Sequence, residues 1–578
     1  MKITIAKTAG FCMGVRRAVE MALDAPGIHA KPIYTLGPLI HNPQVLSLFE
    51  EKGIRVINDI PEKGEGTVII RAHGVPPERK EALKAAGFNV IDATCPRVIR
   101  VQTIIRVHAR KGYDVIILGD ENHPEVIGLL GHTTPGKGHV AANLAQLREI
   151  PAFDKAIIVA QTTQNTLAYE QIKDWAGTHH PQYKIFETIC GSTEKRQGEV
   201  RSLAQNMDAV VVVGGKSSGN TRRLSEIVRQ AGKPAFHIET EADLASVAIG
   251  TPQNVGLTAG ASTPNWIIRR VYRALEKIPL EHDNPLNRWT FSLQRFLLLT
   301  NLYVAFGAGC LSYTCLQLQN NHNPFPLIWI SILYVLSMHI LNHLTGKAED
   351  RYNDPERAAF YEKNKPYLTT LAIVAGAAGL VAAFFTGTFP FIALIIMSAF
   401  GLSYNLRIFP RGEKENKRYS RLRDISGSKT ILIALAWGTV TALLPGLADP
   451  HGFSSRSLLV FAWSTAVVFS RTAFFDILDM QGDRIVGKET IAILLGEKRS
   501  IRLLKAISIG MVVLSAGASA AQIVPSLGYA LILCPVFIYG ILFIHENGYM
   551  LPGTRMEFLA ETVFVVSGLT TLIWSTVI

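Results

Sequence analysis

Cys12, Cys95 and Cys190 are separated by 83 and 95 residues. That spacing is unlike the local CxxC pairing of zinc ribbons. Each cysteine stands in a polar or Gly-containing context, FCMG, ATCPR and TICGST, whereas a thiol serving only as packing belongs in an apolar run. In a reducing compartment, three thiolates from distant segments can hold an iron–sulfur cluster whose last iron lacks a protein ligand, or a zinc ion. An open metal position can take a substrate oxygen. Between the cysteines and after them come His41, His73 and His123, the hydroxyls of Ser218 and Ser262, and the amide of Asn220. Together these can donate hydrogen bonds to a diphosphate. SSGNT, opening a helix expected over Arg222 to Ala231, adds helix-terminal amides, although GGKSSGNT is no Walker motif because GxxxxGK[ST] is absent. Glu125, two residues after His123, is a carboxyl suited to proton delivery, or else an ordinary helix-start Glu.

A second set of acids lies far downstream. In DILDMQGDR, Asp476, Asp479 and Asp483 fall three, four and seven apart and so share one helical face. Like charges stacked this way repel, and a divalent cation is the natural compensator. Asp350 and Asp354 repeat the spacing of four. Two such clusters facing each other around Mg2+ would clamp a diphosphate; the alternative is solvated loop charges paired with Arg351, Arg484 and Lys488.

The elements that must position these groups differ between the two halves. From Met1 to about Pro279, short β-branched runs alternate with amphipathic stretches such as Pro77 to Ala86. The runs are Ile3 to Ala6, Pro32 to Leu36, Thr67 to Arg71, Val90 to Ala93, Val115 to Leu118, Ala156 to Ala160, Lys184 to Thr188, Ala209 to Val213, Ala235 to Ile238 and Val255 to Thr258. This is an α/β pattern. The reactive residues come directly after the runs, where ligands collect in open α/β folds. Thr162 and Thr163 follow one of them in the same way.

From about Trp289 onward the chain reads as an all-α membrane domain. Nine stretches are long enough to cross a hydrocarbon core, which takes about 20 residues each: Phe291 to Leu316, Phe325 to Leu344, Tyr367 to Thr386, Phe389 to Leu406, Thr430 to Leu447, Ser457 to Phe475, Ile501 to Ala521, Leu527 to Ile544 and Phe558 to Ile578. Loops after the even-numbered stretches hold nearly all the Lys and Arg, and the others show only Arg456. The positive-inside rule then sets the N-terminal half in the cytoplasm of a multi-pass protein of the inner membrane. MKITIAKTAGFCMGV lacks the apolar core of a signal peptide. The division expected is residues 1–278, a polar linker over 279–290 carrying Pro279 and Pro285, and residues 291–578.

Composition agrees with two unlike halves. The 578 residues are 48% hydrophobic and 18% charged, too apolar for an ordinary soluble enzyme and too polar for a membrane protein throughout. Six cysteines are too few for a disulfide scaffold, and no low-complexity tract suggests disorder or collagen. The net charge of +12 suits a membrane surface or anionic small molecules, and no nucleic-acid partner is expected.

On the patterns AGFCMGVRRAV, GPLIHNPQV, RAHGVPP, DATCPRV, NHPEV, QTTQN, TICGSTEKRQ, GGKSSGNTRRL and TAGASTPNWII, in that order over about Lys2 to Lys277, the first half resembles 4-hydroxy-3-methylbut-2-enyl diphosphate reductase, the LytB-type enzyme of isoprenoid biosynthesis. The resemblance implies three α/β units around a 4Fe-4S cluster held by Cys12, Cys95 and Cys190. It also implies a diphosphate pocket of His41, His73, His123, Ser218, Gly219, Asn220 and Ser262, and a proton relay through Thr162 and Glu125. The implied reaction removes the allylic hydroxyl as water, giving isopentenyl and dimethylallyl diphosphates, with electrons from a ferredoxin or flavodoxin. Glu187 and Gly219 are small departures.

The second half, over about Leu293 to Ile578, resembles the UbiA superfamily of intramembrane prenyltransferases, on DILDMQGDRIVGKETI and the basic segment before the fifth stretch. The first acidic motif departs: with Asn342 in the Asn slot, His343 and Gly346 stand where Asp belongs, and Asp350 matches. The resemblance implies Asp350, Asp354, Asp476, Asp479 and Asp483 on Mg2+ and diphosphate, with Arg407, Lys429 and Arg484 as phosphate contacts. The expected whole is a bifunctional isoprenoid enzyme. Competing readings make the membrane half an inactive anchor or transporter, or the first half a zinc hydrolase. Cys310, Cys315 and Cys534 fall in spans and belong to packing.

Overall fold

The computed structural model describes residues 2–247, 249–250, 252–278, 285–321, 324–345, 353–403, 427–448, 454–485, 490–547 and 553–577. It has two compact units, Met1–His282 and Asp283–Ile578.

The first unit contains twelve strands: β1 Lys2–Ile5, β2 Ile33–Leu36, β3 Ile54–Ile57, β4 Thr67–Ile70, β5 Asn89–Asp92, β6 Asp114–Leu118, β7 Gly138–Ala141, β8 Ala156–Ala160, β9 Lys184–Ile185, β10 Ala209–Val213, β11 Ala235–Ile238 and β12 Asn254–Ala259. They form three separate four-stranded sheets, β3-β2-β4-β5, β7-β6-β8-β9 and β11-β10-β12-β1, parallel throughout. Central strands such as AVVVV and AIIVA are buried along their whole length, as parallel sheets covered on both faces require. Numbered within its own unit, every sheet has the order 2-1-3-4. In the third sheet the fourth place is filled by β1, from the other end of the chain.

That repeated order explains where the reactive residues fall. In a 2-1-3-4 sheet, strands 1 and 3 are neighbours whose following connections diverge, leaving a crevice at their carboxyl ends. The loops after the three first strands carry His41, His123 and Ser218, and those after the three third strands carry His73, Thr162 and Ser262. The three fourth strands are followed by Cys95, Cys190 and Cys12.

The second unit is helical. Seven described helices are long and apolar enough to span a membrane, or eight if the pair Arg288–Leu299 and Leu302–Leu318, bent by 76°, is one span. The first expected span is therefore broken. Asn301 has a left-handed backbone (φ 58°), and its side-chain amide donates to Tyr361 Oη at 2.6 Å instead of extending the helix. The fourth expected span, Phe389 to Leu406, is represented among described residues by a shorter apolar helix, Thr388–Leu402. Among the described residues, seven or eight of the nine expected spans stand as helices of spanning length, and the fourth runs on into residues 404–406, outside the described ones. The helix Ser455–Ile485 has 31 residues, roughly 45 Å at 1.5 Å per residue. It exceeds a hydrocarbon core of about 30 Å and can carry an apolar span and the Asp476–Asp483 face in one rod.

Two charges missing from the sequence reading lie inside this bundle. Arg471 Nε donates to Glu561 Oε2 at 3.1 Å, a second guanidinium nitrogen bonds Glu561 Oε1, and Glu561 is only 3% exposed. A bidentate pair compensates two groups that would each be costly to bury alone. Arg471→Ala, which leaves Glu561 without its guanidinium, is expected to destabilise the unit by about 3–5 kcal/mol. Chemical unfolding of the detergent-solubilised chain checks this, and joint replacement by Arg471→Met and Glu561→Leu recovers most of the loss.

Candidate active site

Each of the three cysteines caps a helix: Cys12 precedes Met13–Ile28, Cys95 precedes Pro96–Ala109 and Cys190 precedes Gly191–Asn206. Helix N-termini offer amides and a partial positive charge, which favour thiolate. Val15 N donates to Cys12 Sγ at 3.5 Å, and the nearby amides of Arg97 and Val98 favour the Cys95 thiolate. The thiols meet. Cys95 is pushed above the usual thiol range, first by burial and then by the negative charge of Cys12 and Cys190, against the pull of those two amides. A Cβ on Gly14, two residues after Cys12, would come within 2.5 Å of Cys95 Sγ. Glycine at 14 thus leaves room for the sulfur that follows β5. Arg196, 2% exposed, is fixed by Ala259 O at 2.5 Å and Gly10 O at 2.8 Å, and its charge acts on Cys12 and Cys190.

The backbone ties every cysteine to the pocket residues. Cys12 N donates to Ala261 O at 3.3 Å, beside Ser262; Cys95 N donates to Ala72 O at 2.9 Å, beside His73; Cys190 N donates to Thr162 O at 2.9 Å. The fourth-strand loop of each unit is so bonded to its third-strand loop. The thiols and the polar crevice therefore belong to one centre.

In the pocket, His41, His73 and His123 each present a ring nitrogen, all within 4.8 Å of one another. Ring centroids lie 4.9 to 5.8 Å apart. Burial lowers all three from the ordinary imidazole value. His41 is lowered further by Arg71, His73 goes well below with help from its two neighbours and Arg71, and His123 falls to about 4. All three shifts favour the neutral imidazole, which can donate one N–H without charge repulsion between the rings. His41 Nε2, His73 Nδ1 and Asn220 Nδ2 are buried and have no hydrogen-bond partner among the described residues. Such groups are costly unless a ligand completes them. His123 Nδ1 accepts from Glu125 N at 3.1 Å, which leaves its other nitrogen for a ligand. Ser218 caps the helix Gly219–Gln230, its Oγ accepting from Thr221 N at 3.4 Å. That helix starts three residues before the expected Arg222, so Gly219 and Asn220 are its first amides. Ser262 lies beyond β12, nearly buried at 9% exposed.

Glu125 is 1% exposed; its carboxylate accepts from Thr162 N at 2.6 Å and Thr162 Oγ1 at 2.9 Å. Burial raises it to about 6, against those two hydrogen bonds and Arg223. From an ordinary 4.5, that is about 2 kcal/mol of penalty on the charged form. Glu125 is both a helix-start residue and a carboxyl poised to carry a proton near neutral pH.

In the second unit, Asp476 and Asp483 are 5% and 3% exposed, and Asp354 is 9% exposed. Thr430 Oγ1 donates to Asp476, next to Lys429 on the helix Ser428–Gly438. Asn353 Nδ2 donates to Asp483 Oδ1 at 2.9 Å, bringing the Asp354 end of one segment against the acidic face of another. Asp479 is on the same helix and part-buried. Asp354 caps the helix Pro355–Lys363, and Arg357 pairs with it and with Glu557. Asp350, Arg407 and the side chain of Arg484 lie outside the described residues.

Sequence reasoning passed over Arg223, Asp120 and Gln164 in the first unit, and Asn353, Thr430, Arg471 and Glu561 in the second. The signal for Arg471 and Glu561 was present, since an ionisable residue inside an apolar span is a functional candidate by default.

A family model described as LytB protein matches residues 3–276, and one described as the UbiA prenyltransferase family matches residues 301–552. The chain is 41% identical over 290 residues to the 4-hydroxy-3-methylbut-2-enyl diphosphate reductase of Opitutus terrae, covering 48% of this chain and all of that one. It is 42% identical over 283 residues to the Aquifex aeolicus protein of the same name, covering 48% of this chain and 96% of that one. A solved structure of (E)-4-hydroxy-3-methyl-but-2-enyl diphosphate reductase aligns with 48% of this chain and all of its own, at 41% identity and a TM-score of 0.38. Its first unit places this chain in the 4-hydroxy-3-methylbut-2-enyl diphosphate reductase (LytB) family, and its second unit is a UbiA prenyltransferase family domain.

Proposed function

We propose that the first unit reduces (E)-4-hydroxy-3-methylbut-2-enyl diphosphate to isopentenyl and dimethylallyl diphosphates, with water as the other product. The observation that carries this reading is the set of three backbone hydrogen bonds from Cys12, Cys95 and Cys190 to the strand-end loops of the polar crevice. Three thiols on three helix N-termini, Cys95 near enough to feel the charge of Cys12 and Cys190 and a buried arginine acting on the latter two, fit a 4Fe-4S cluster. When bound there, the cluster supplies electrons and one iron with no cysteine ligand, a Lewis acid for the departing hydroxyl. His41, His73, His123, Ser218, Asn220 and Ser262 hold the diphosphate through neutral donors and helix amides. The reaction takes up two electrons and two protons, one proton on the departing oxygen and one on the five-carbon allyl group; Glu125, oriented by Thr162, delivers the one that turns the leaving hydroxyl into water. A ferredoxin or flavodoxin supplies the electrons.

The second unit transfers a prenyl group within the membrane. Asp476, Asp479 and Asp483 on one helix face, with Asp354 approaching through Asn353, form an oxygen-rich donor set that fits Mg2+, and the cation neutralises a departing diphosphate. The charge asymmetry of the loops supports an inner-membrane protein with the reductase unit in the cytoplasm. His343 in the Asp slot favours one alternative, a unit that anchors the reductase without chemistry. Membranes containing the full chain are expected to release diphosphate from labelled prenyl donors in a Mg2+-dependent manner, reduced by about a hundredfold or more in Asp479→Ala. Wild-type membranes with no release, whatever acceptor is supplied, would favour the anchor.

A further inference from the structure

Arg223 follows Gly219 by four residues on the helix Gly219–Gln230 and shares its face. Its side chain is 9% exposed. Nη2 donates to Asp120 Oδ2 at 2.9 Å and Nε donates to Gln164 Oε1 at 3.2 Å. These two contacts fasten the helix of the third sheet to both strand-end loops of the second. Nη1 is left over: it is buried and has no hydrogen-bond partner among the described residues. An unsatisfied N–H on a buried cation is costly, and it points to a ligand.

Nη1 lies close beside Gly219. A Cβ at position 219 would lie 3.1 Å from Arg223 Nη1, 3.6 Å from Asp120 Oδ2 and 3.8 Å from His123 Cδ2. Cδ2 is bonded to Nε2, the ring nitrogen that His123 has available for a ligand. Glycine at 219 puts no side chain of its own between the guanidinium and the imidazole edge, and brings only its backbone amide to the site. We propose that Arg223 is a further diphosphate-binding residue of this chain, its unpartnered Nη1 reaching the ligand's phosphate oxygens alongside Gly219 and the edge of His123. This rests on the reading of the pocket as a diphosphate site. Arg223 then adds a cationic donor to a set of neutral ones, while Asp120 and Gln164 hold its other nitrogens in place.

The test is titration of the anaerobically purified full chain with inorganic diphosphate by calorimetry, in EDTA to silence any Mg2+-dependent site in the second unit. Steady-state kinetics of the same preparations accompany it. Arg223→Gln is expected to weaken diphosphate binding by about tenfold or more, the loss of one charged hydrogen bond. KM rises with it while kcat changes by less than about threefold, the pattern of lost ground-state binding. Arg223→Lys recovers part of the affinity. Gly219→Ala keeps the pairing with Asp120 and crowds only Nη1, so it reads the same contact should Arg223→Gln fail to fold, and a several-fold weakening is expected. Unchanged affinity in Gly219→Ala, or in a folded Arg223→Gln, overturns the proposal. A wild-type chain that does not bind diphosphate overturns the reading of the pocket itself.

Discussion

Cys95→Ser is expected to lower reductase turnover of the anaerobically purified chain by well over a hundredfold and to reduce its bound iron in parallel. Loss of a residue that merely supports a metal ligand already costs about 10–100-fold, and here a ligand itself is removed. Cys95 also carries the sulfur that Gly14 makes room for. Cys12→Ser and Cys190→Ser should behave alike, because the three sulfurs come from equivalent places in three equivalent sheets. Cys315→Ser and Cys534→Ser provide the contrast. Both thiols are buried within the helical unit, and neither substitution should change iron content. Iron analysis and turnover of the five variants check this together.

Glu125→Gln is expected to reduce kcat by about 10²–10⁴-fold, the range for a lost proton donor, with KM within a few-fold of wild type. The amide keeps the shape and can still accept from Thr162, but it has no proton to give. The pH dependence has a definite sign. Burial holds Glu125 at about 6, so its neutral, donating form predominates below that pH and falls about tenfold per unit above it. The basic limb of kcat/KM should therefore begin near pH 6 in wild type and vanish in Glu125→Gln. Thr162→Val removes the hydroxyl that donates to Glu125 Oε2 at 2.9 Å. That hydrogen bond favours the charged form, so the limb should move to higher pH. A profile that stays in place in Thr162→Val would remove Thr162 from the relay.

The sequence was most informative where chemistry and strand ends coincide. Buried central strands such as Val115 to Leu118 and Ala209 to Val213 read plainly from β-branched runs, and the polar residues behind them marked the crevice. Two strands escaped. β3 (IRVI) carries an exposed Arg55 and Val56, and β7 (GHVA) is short and opens with glycine; both are edge strands, which need no continuous apolar run. The segment after Lys184 was expected to remain a strand to Thr188, but the regular ladder ends at Ile185. Thr188 instead uses its hydroxyl on the backbone of Ala160, at 2.7 and 2.9 Å. The placement of β1 as the fourth strand of the last sheet depends on pairing across some 250 residues, which no local pattern records.

In the second unit, hydropathy alone joined two helices across Thr300 and Asn301, because neither residue is a strong breaker. The left-handed turn is held by tertiary contact with Tyr361. Arg223 was hidden for a related reason: a charged residue on an amphipathic helix reads as solvent-facing until its ion pair with Asp120 is seen. Arg471 and Glu561, by contrast, stood in plain view within apolar stretches, and the spacing of residues 90 positions apart gave no hint that they would pair.

The most direct test of the whole account is iron-isotope Mössbauer spectroscopy of the oxygen-free, full-length protein before and after addition of (E)-4-hydroxy-3-methylbut-2-enyl diphosphate, with product analysis on the same samples under a chemical reductant. The account predicts about four irons per chain, one of them changing its signal when substrate is added, and both five-carbon diphosphates among the products. Stoichiometric zinc in place of iron, or an iron centre indifferent to substrate with no such products, would contradict it.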